Sequence, residues 1–250
     1  MDAVSVTVEN GLVHAKNERF SFNEKVDKAL KEAEKVLRPI QGRYAQTMSS
    51  EAFLGLVLNV NGEQLLPMIQ NVEIIKASLA AANAAIDMNK IIKSIDGEVA
   101  LNYFGDMMYG NGQYSIVAEL YHNQWLADVG YWKTSTPKGS EIKDWGKDAY
   151  CYTDGKSAVY FGVVGEPKMA QSSASSQSSL QFFCGNTPEV AESPLQPARK
   201  PISEDVAAKI KGSRFAVVMN MESGFFGVIA KSALEPFLGD FHTFVYTLEE

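Results

Sequence analysis

Trp125, Trp132, Trp145, Tyr150 and Tyr152, with Tyr131 among them, crowd into one stretch of the chain. Flat apolar rings with a polar edge, when they face solvent, are what a sugar or a peptide stacks on. These five are therefore the candidate ligand-binding residues. Two tryptophans at the spacing of Trp125 and Trp132 more often pack a helix against a sheet. The exposure of Trp145 and Tyr152 decides between the two uses.

The other chemistry-bearing residues form no known constellation. His14, His122 and His242 are isolated, with none of the short spacings by which two histidines reach one metal ion, so no metal site is expected. No Gly-x-Ser-x-Gly turn marks a nucleophile, and the serines between 172 and 179 lie in a segment with almost nothing to bury. Gly110-Asn111-Gly112 lacks the third glycine of a dinucleotide loop, and no phosphate-loop lysine is present. No cofactor is expected. The acid pairs Asp144/Asp148 and Asp96/Glu98 could do acid–base work only at a fixed separation in space; the plainer reading is solvated turn acids. A hydrolase remains the alternative, and it requires a deep pocket holding His122 or His242 beside an acid and a hydroxyl.

Bulk properties narrow the partners. A formal net charge of -7 and no basic run longer than Arg199-Lys200 set the field against phosphate backbones, which excludes nucleic acid as the natural partner. With 46% hydrophobic and 21% charged residues the chain can build a sizeable core. The most apolar helical stretch, Val72 to Met88, is interrupted by Glu73, Lys76, Asn83 and Asp87, so no membrane span is expected. Met1-Asp2 leads straight into alternating Val4, Val6 and Val8, without the basic head and apolar plug of a secretory signal. Cys151 and Cys184 both fall in strand-like segments and read as buried free thiols ahead of a bridge.

The elements that must position these residues follow from periodicity. Val4, Val6 and Val8 alternate with polar residues up to Asn10-Gly11, the signature of a type I′ hairpin that sets Val8 against Val13 and Val6 against Ala15. A helix is expected with Ser21 or Asn23 as its N-cap, running to Leu37 and ended by Pro39. Phe53 to Val60 is too continuously apolar for a one-sided strand and should lie in a sheet covered on both faces. Asn61-Gly62 then starts a short helix, residues 72 to 95 are helix-rich with a fresh cap near Asp87, and Asp96-Gly97 turns into a strand that pairs antiparallel with Tyr114 to Leu120. Residues 123 to 132 suit a short helix with Trp125, Leu126, Val129 and Trp132 on one side. Asp154-Gly155 reads as a second two-residue hairpin, pairing Cys151 with Ala158. Residues 165 to 179 read as a loop, residues 187 to 201, with four prolines, as an irregular segment, and Ser203-Glu204-Asp205 as a helix start.

The C-terminal residues repeat an earlier unit. Gly55 to Asn61 lies over Ala216 to Glu222, which places Asn59 on Asn220, and each strand is followed by a helical pattern and a further strand. The expected fold is α+β, with antiparallel or mixed sheets, helices packed on one side and two related strand-helix-strand units. Its divisions are an N-terminal hairpin and helix (1–50), a first α+β unit with an aromatic hairpin (51–164), a Ser/Pro-rich irregular segment with one short strand (165–201), and a second strand-helix-strand unit completing the same domain (202–250).

Four phrases, Asn59 to Pro67, Ala85 to Leu101, Leu126 to Trp132 and Asp144 to Lys147, resemble an uncharacterised family of Bacteroidetes cell-envelope proteins, often lipoproteins. The resemblance covers most of residues 50 to 250 and assigns no catalytic residue. It implies residence in the periplasm or on the outer-membrane surface and a lipid anchor in the full precursor, although no lipobox cysteine stands near Met1. Together with the lack of a catalytic motif, it implies a non-enzymatic binding or structural module for an envelope ligand or protein, with a glycan or a peptide as the ligand class. A docking module using its Ser- and Pro-rich segments is a further alternative.

Overall fold

A computed structural model describes residues 2–19, 36–105, 112–166 and 180–249. The helix expected from about Asn23 lies mostly outside the described residues, as do most of the loop at 165 to 179 and the connection at 106 to 111. The fold is α+β, with a mixed, mostly antiparallel arrangement of strands. The chain forms two compact units, residues 1–59, 98–115 and 193–250 in the first and 60–97 and 116–192 in the second.

In the first unit, β1 (Asp2–Glu9) and β2 (Leu12–Arg19) pair antiparallel, with Val8 opposite Val13 and Val6 opposite Ala15 as their spacing predicts. Asn10 and Gly11 adopt φ of 50° and 74°, the double positive-φ turn that side-chain clashes reserve for such residues. Strand β12 (Thr243–Leu248) lies parallel to β2, β11 (Phe215–Asn220) antiparallel to β12, and β4 (Leu54–Asn61) antiparallel to β11. β3 (Leu37–Arg38) pairs with β4, and β5 (Ile95–Phe104) follows β4 in the sheet. Gly55, Val57 and Asn59 are buried, and Leu54, Leu56 and Leu58 half-buried, so β4 is covered on both sides as its unbroken apolar run requires.

The repeat is visible in the register. The sequence overlay puts Leu56 on Val217, and these two residues are direct cross-strand partners. An antiparallel pair in which equivalent residues face each other has a local two-fold axis between its strands. The order β12-β11-β4-β5 extends that relation one strand further on each side. Asn59 and Asn220 then fall at opposite ends of the pair. Their side-chain amides donate to Pro39 O and Ser50 O, both at 2.8 Å.

Val13, Met221 and Phe241 form a closed core with Met219, Ala230, Leu238 and Phe244 around it. Two of these, Ala230 and Leu238, come from α7 (Gly224–Leu238), the helix between β11 and β12. Helix α6 (Glu204–Ile210) begins at Ser203, whose Oγ accepts from Val206 N at 3.3 Å, and buries Val206 and Ile210. Glu98 corrects one expectation. It is 0% exposed, and its carboxylate accepts from the backbone N–H groups of Gln41, Gly42 (2.8 Å) and Arg43 (2.7 Å), so it is a buried anchor and not a solvated turn acid.

In the second unit, helices α1 (Gly62–Gln70), α2 (Glu73–Asn83) and α3 (Met88–Lys93) follow β4. Asn61 and Asp87 cap α1 and α3, their side chains accepting from Gln64 N and Lys90 N. Asp96-Gly97 is not a turn but part of β5. A Cβ on Gly97 would stand 2.4 Å from Glu119 Oε2, so glycine serves close approach there, at φ 152°.

Strand β6 (Gln113–Leu120) neighbours β10 (Gln181–Gly185), which pairs antiparallel with β9 (Ala158–Val164), β9 with β8 (Ala149–Thr153), and β8 with β7 (Glu141–Gly146). The β8–β9 register differs from the expected one. Cys151 faces Tyr160 and Thr153 faces Ala158, which leaves four residues in the loop. The Asp154 carboxylate accepts from Lys156 N (2.9 Å) and from Ser157 N (2.8 Å) and Oγ (3.1 Å), a side-chain turn that displaces the two-residue backbone turn. The Pro-rich segment is also more regular than expected, with α5 (Pro188–Glu192) and a 3-10 turn over Ser193–Leu195.

Candidate functional site

Trp125 sits on a 3-10 turn, Gln124–Asp128, that runs directly into α4 (Val129–Ser135), carrying Trp132. The predicted apolar side of this stretch holds, since Trp125, Val129 and Trp132 are all buried. The two indoles stack at 5.9 Å and 12°, and Trp125 meets the edge of Phe182 at 6.2 Å and the tilted ring of Phe161 at 6.4 Å. At 2% and 4% exposure the two tryptophans pack the second unit's core.

Trp145, Tyr150 and Tyr152 are half-buried. Tyr150 lies against Phe161 at 5.7 Å beneath the Lys133 ammonium, and Tyr152 OH bonds Ser140 Oγ at 3.2 Å. Trp145 instead contacts Tyr160 at 5.2 Å and Phe183 at 6.2 Å. The register places Tyr150 opposite Phe161 and puts Tyr160 on the other face of β9. The five aromatic residues are therefore divided between two faces and do not form one stacking platform.

What the structure adds to Trp125 is a cavity of about 350 Å³, lined by Glu63, Lys90, Lys93, His122, Gln124, Trp125 and Asp128. Three elements deliver these residues. Glu63 stands in the first turn of α1, Lys90 and Lys93 in the last turn of α3, and the others in the segment after β6. One backbone and one side-chain bond at Ser94 hold these pieces in place. Tyr121 N donates to Ser94 O at 2.8 Å, and Ser94 Oγ donates to Ile91 O at 2.6 Å. Lys90 Nζ donates to Asp128 Oδ2 at 2.7 Å, joining α3 to the turn, and that bond raises the Lys90 ammonium above its ordinary range.

Trp125 and His122 line this cavity, and each keeps one nitrogen, Nε1 and Nδ1, buried behind its surface without a hydrogen-bond partner. Lys93 and Glu63 add one cation and one anion with no ion-pair partner among the described residues. Of these residues only Trp125 and His122 stood out in the sequence. Lys90, Lys93 and Glu63 carried no signal, because ordinary helix-surface charges become a site only through the fold.

The first unit has a second cavity, of about 360 Å³, whose lining includes Ser49, Ser50, Ser203, Asn220, Glu222 and His242. Here a histidine, an acid and hydroxyls do share one space. Each is already engaged, however. His242 Nδ1 meets the Thr243 hydroxyl at 2.9 Å, Glu222 takes the Lys231 ammonium at 3.3 Å, and Ser50 Oγ donates to Lys200 O at 3.2 Å. Asn220 spends its amide on Ser50 O and its oxygen on Glu222 N, at 2.9 Å. This polarity holds loops together and offers a ligand less than the unpaired charges of Lys93 and Glu63 beside Trp125.

Among the described residues no cluster of three or more histidine, cysteine or acidic side chains could hold a metal ion, and no helix is long and apolar enough to cross a membrane. No curated protein and no solved structure matches the chain. From residue 3 to residue 248 it matches the family described as Domain of unknown function (DUF4836), and the chain belongs to that family.

Proposed function

We propose that this protein is a non-enzymatic binding module of the Bacteroidetes cell envelope, held there by a lipid anchor on its full precursor, and that it takes a small glycan or peptide ligand in the cavity beside Trp125. The observation that carries the reading is one cavity whose lining gathers Trp125 and His122 with the unpaired charges of Lys93 and Glu63. Its volume lies in the range of about 300–1,000 Å³ common to small-molecule sites.

Lys93→Gln tests this directly, since it removes the unpaired cation of the lining at an exposed position. On a glycan array and a library of short peptides, the unmodified protein should select a ligand. The variant should bind that ligand about five- to tenfold more weakly, the worth of one hydrogen bond, with its melting temperature little changed. Selection of no ligand, or equal binding by the variant, would sink the proposal.

A second reading, an envelope hydrolase, draws on the cavity that gathers His242, Glu222 and hydroxyls in the first unit. Turnover of ester or glycoside probes that disappears in His242→Gln would favour it over a binding module.

A further inference from the structure

We infer that the chain pairs with a second copy of itself through the outer edge of β1, strand against antiparallel strand about a two-fold axis at Val6. Among the described residues the strand order ends at β1 on one side and at β7 on the other. Edge strands are normally blunted by charges, bulges or prolines, because their open backbone groups recruit other strands. β7 is protected in this way. It carries Glu141, Lys143 and Asp144, and its register against β8 slips between Asp144 and Gly146. β1 has no such device. Its register against β2 is unbroken, no residue between Asp2 and Glu9 is charged, and Val4, Val6 and Val8 are 59%, 51% and 40% exposed.

The hairpin turn fixes which backbone groups are open. A two-residue turn closes on a pair that exchanges both of its hydrogen bonds, here Glu9 with Leu12, and such pairs recur at every second residue. Thr7 and Ser5 therefore bond to β2. The N–H and C=O groups of Val4, Val6 and Val8 point the other way, where no described strand pairs with them. The same residues present open backbone groups at the edge and apolar side chains on one face.

That pattern fits its own copy. Side chains alternate between faces, so two identical antiparallel strands keep their faces matched only in alternate registers. The register centred on Val6 sets Val6 against Val6, Val4 against Val8, and Ser5 against Thr7. Each valine pair then exchanges backbone bonds, the hydroxyl residues meet on the other face, and Glu9 lies opposite residue 3, an alanine. Centring on Ser5 instead would set Val8 against the acid at position 2. An uncharged strand offers charge recognition to no foreign partner, whereas its copy answers it apolar to apolar and hydroxyl to hydroxyl. Pairing consumes the unprotected edge of each copy, so assembly closes at the dimer.

Sedimentation velocity of the full chain at concentrations from about 1 to about 200 μM tests this. A monomer–dimer equilibrium is expected. Val6→Lys sets two ammonium groups against each other at the axis and should weaken the dimer at least about tenfold. Val6 faces solvent in the single chain, so the melting temperature at the dilute, monomeric end should not change.

The register is read separately with Ser5→Cys and Thr7→Cys, two exposed positions that oppose each other across the axis. Under mild oxidation a mixture of the two variants should form covalent dimers, and either variant alone far fewer. Cys151 and Cys184 are common to every sample and set the background. A chain that stays monomeric throughout, a dimer indifferent to Val6→Lys, or equal cross-linking in the mixture and in the single variants would each overturn the self-pairing.

Discussion

Glu98 has no solvent contact and three backbone N–H donors, from Gln41, Gly42 and Arg43, directed at its two oxygens. Glu98→Gln keeps the volume but replaces one oxygen by a donor amide that faces other donors. We expect a loss of about 3 kcal/mol, read as a lower midpoint in urea denaturation with an unchanged slope. Nothing near Glu98 in the sequence announced this role. Its partners come from a segment without periodicity, and a strand residue is paired with such a loop only by the folded chain.

His14 gives a prediction in pH. Burial, then the charge of Lys209, hold its imidazole below the ordinary value of 6.5; Glu249 acts in the opposite sense, and Thr247 Oγ1 lies 2.8 Å from Nε2. The unfolded chain therefore takes up the proton first as pH falls. The stability His14 supplies is complete above about pH 6.5 and is lost as pH drops through its lowered folded value. The melting temperature should fall more steeply between pH 7 and 5 in the unmodified protein than in His14→Gln. An identical pair of curves would show that His14 has no part in acid sensitivity.

At the scale of elements, the β8–β9 loop shows where sequence reading runs short. Asp154-Gly155 carries the dipeptide of a two-residue turn, and the hairpin itself is present as read. The register is not, because the Asp154 carboxylate competes for the backbone donors of Lys156 and Ser157. Those bonds also hold that carboxylate below its usual range, the Ser157 N–H contributing most. Asp154→Ala should accelerate amide exchange at Lys156 and Ser157 while leaving the core strands protected.

Helix α7 poses the opposite case, since it is apolar on nearly every side. Its Phe237 is 84% exposed, whereas Phe241, just beyond the helix, is fully buried against Val13 and Met221. Phe237→Ser should change stability by less than about 0.5 kcal/mol, and Phe241→Ala should cost about 3–5 kcal/mol. Thermal or urea unfolding of the two variants separates them.

Across the whole molecule, the fold class and the repeat were legible because both are written in local periodicity. β4 and β11 each read as apolar strands leading into helices, and their alignment foretold a relation that the register makes concrete in Leu56 and Val217. The candidate site was only partly legible. Trp125 was marked by its residue type, but Lys93 and Glu63 reach it from helices whose packing no spacing in the chain encodes.

The same strand register bears on the thiols. Cys151 faces Tyr160 and Cys184 faces Phe161, neighbours on β9 whose side chains point to opposite faces, so the cysteines stand apart as free thiols. Burial pushes the Cys184 thiol up to about 12. Without reductant, two thiols per chain should titrate after denaturation, and in the native protein Cys151 should react well before Cys184.

The pairing of β4 with β11 has a consequence for how the protein is made. A ribosome releases β4 long before β11 exists, and until then the edge that β11 will cover is a bare row of apolar residues and unmet backbone groups. The nascent chain therefore passes through a long interval in which half of its central ladder is missing. A translation product halted after Ile210 should bind chaperones and aggregate, and completion through Leu248 should release it.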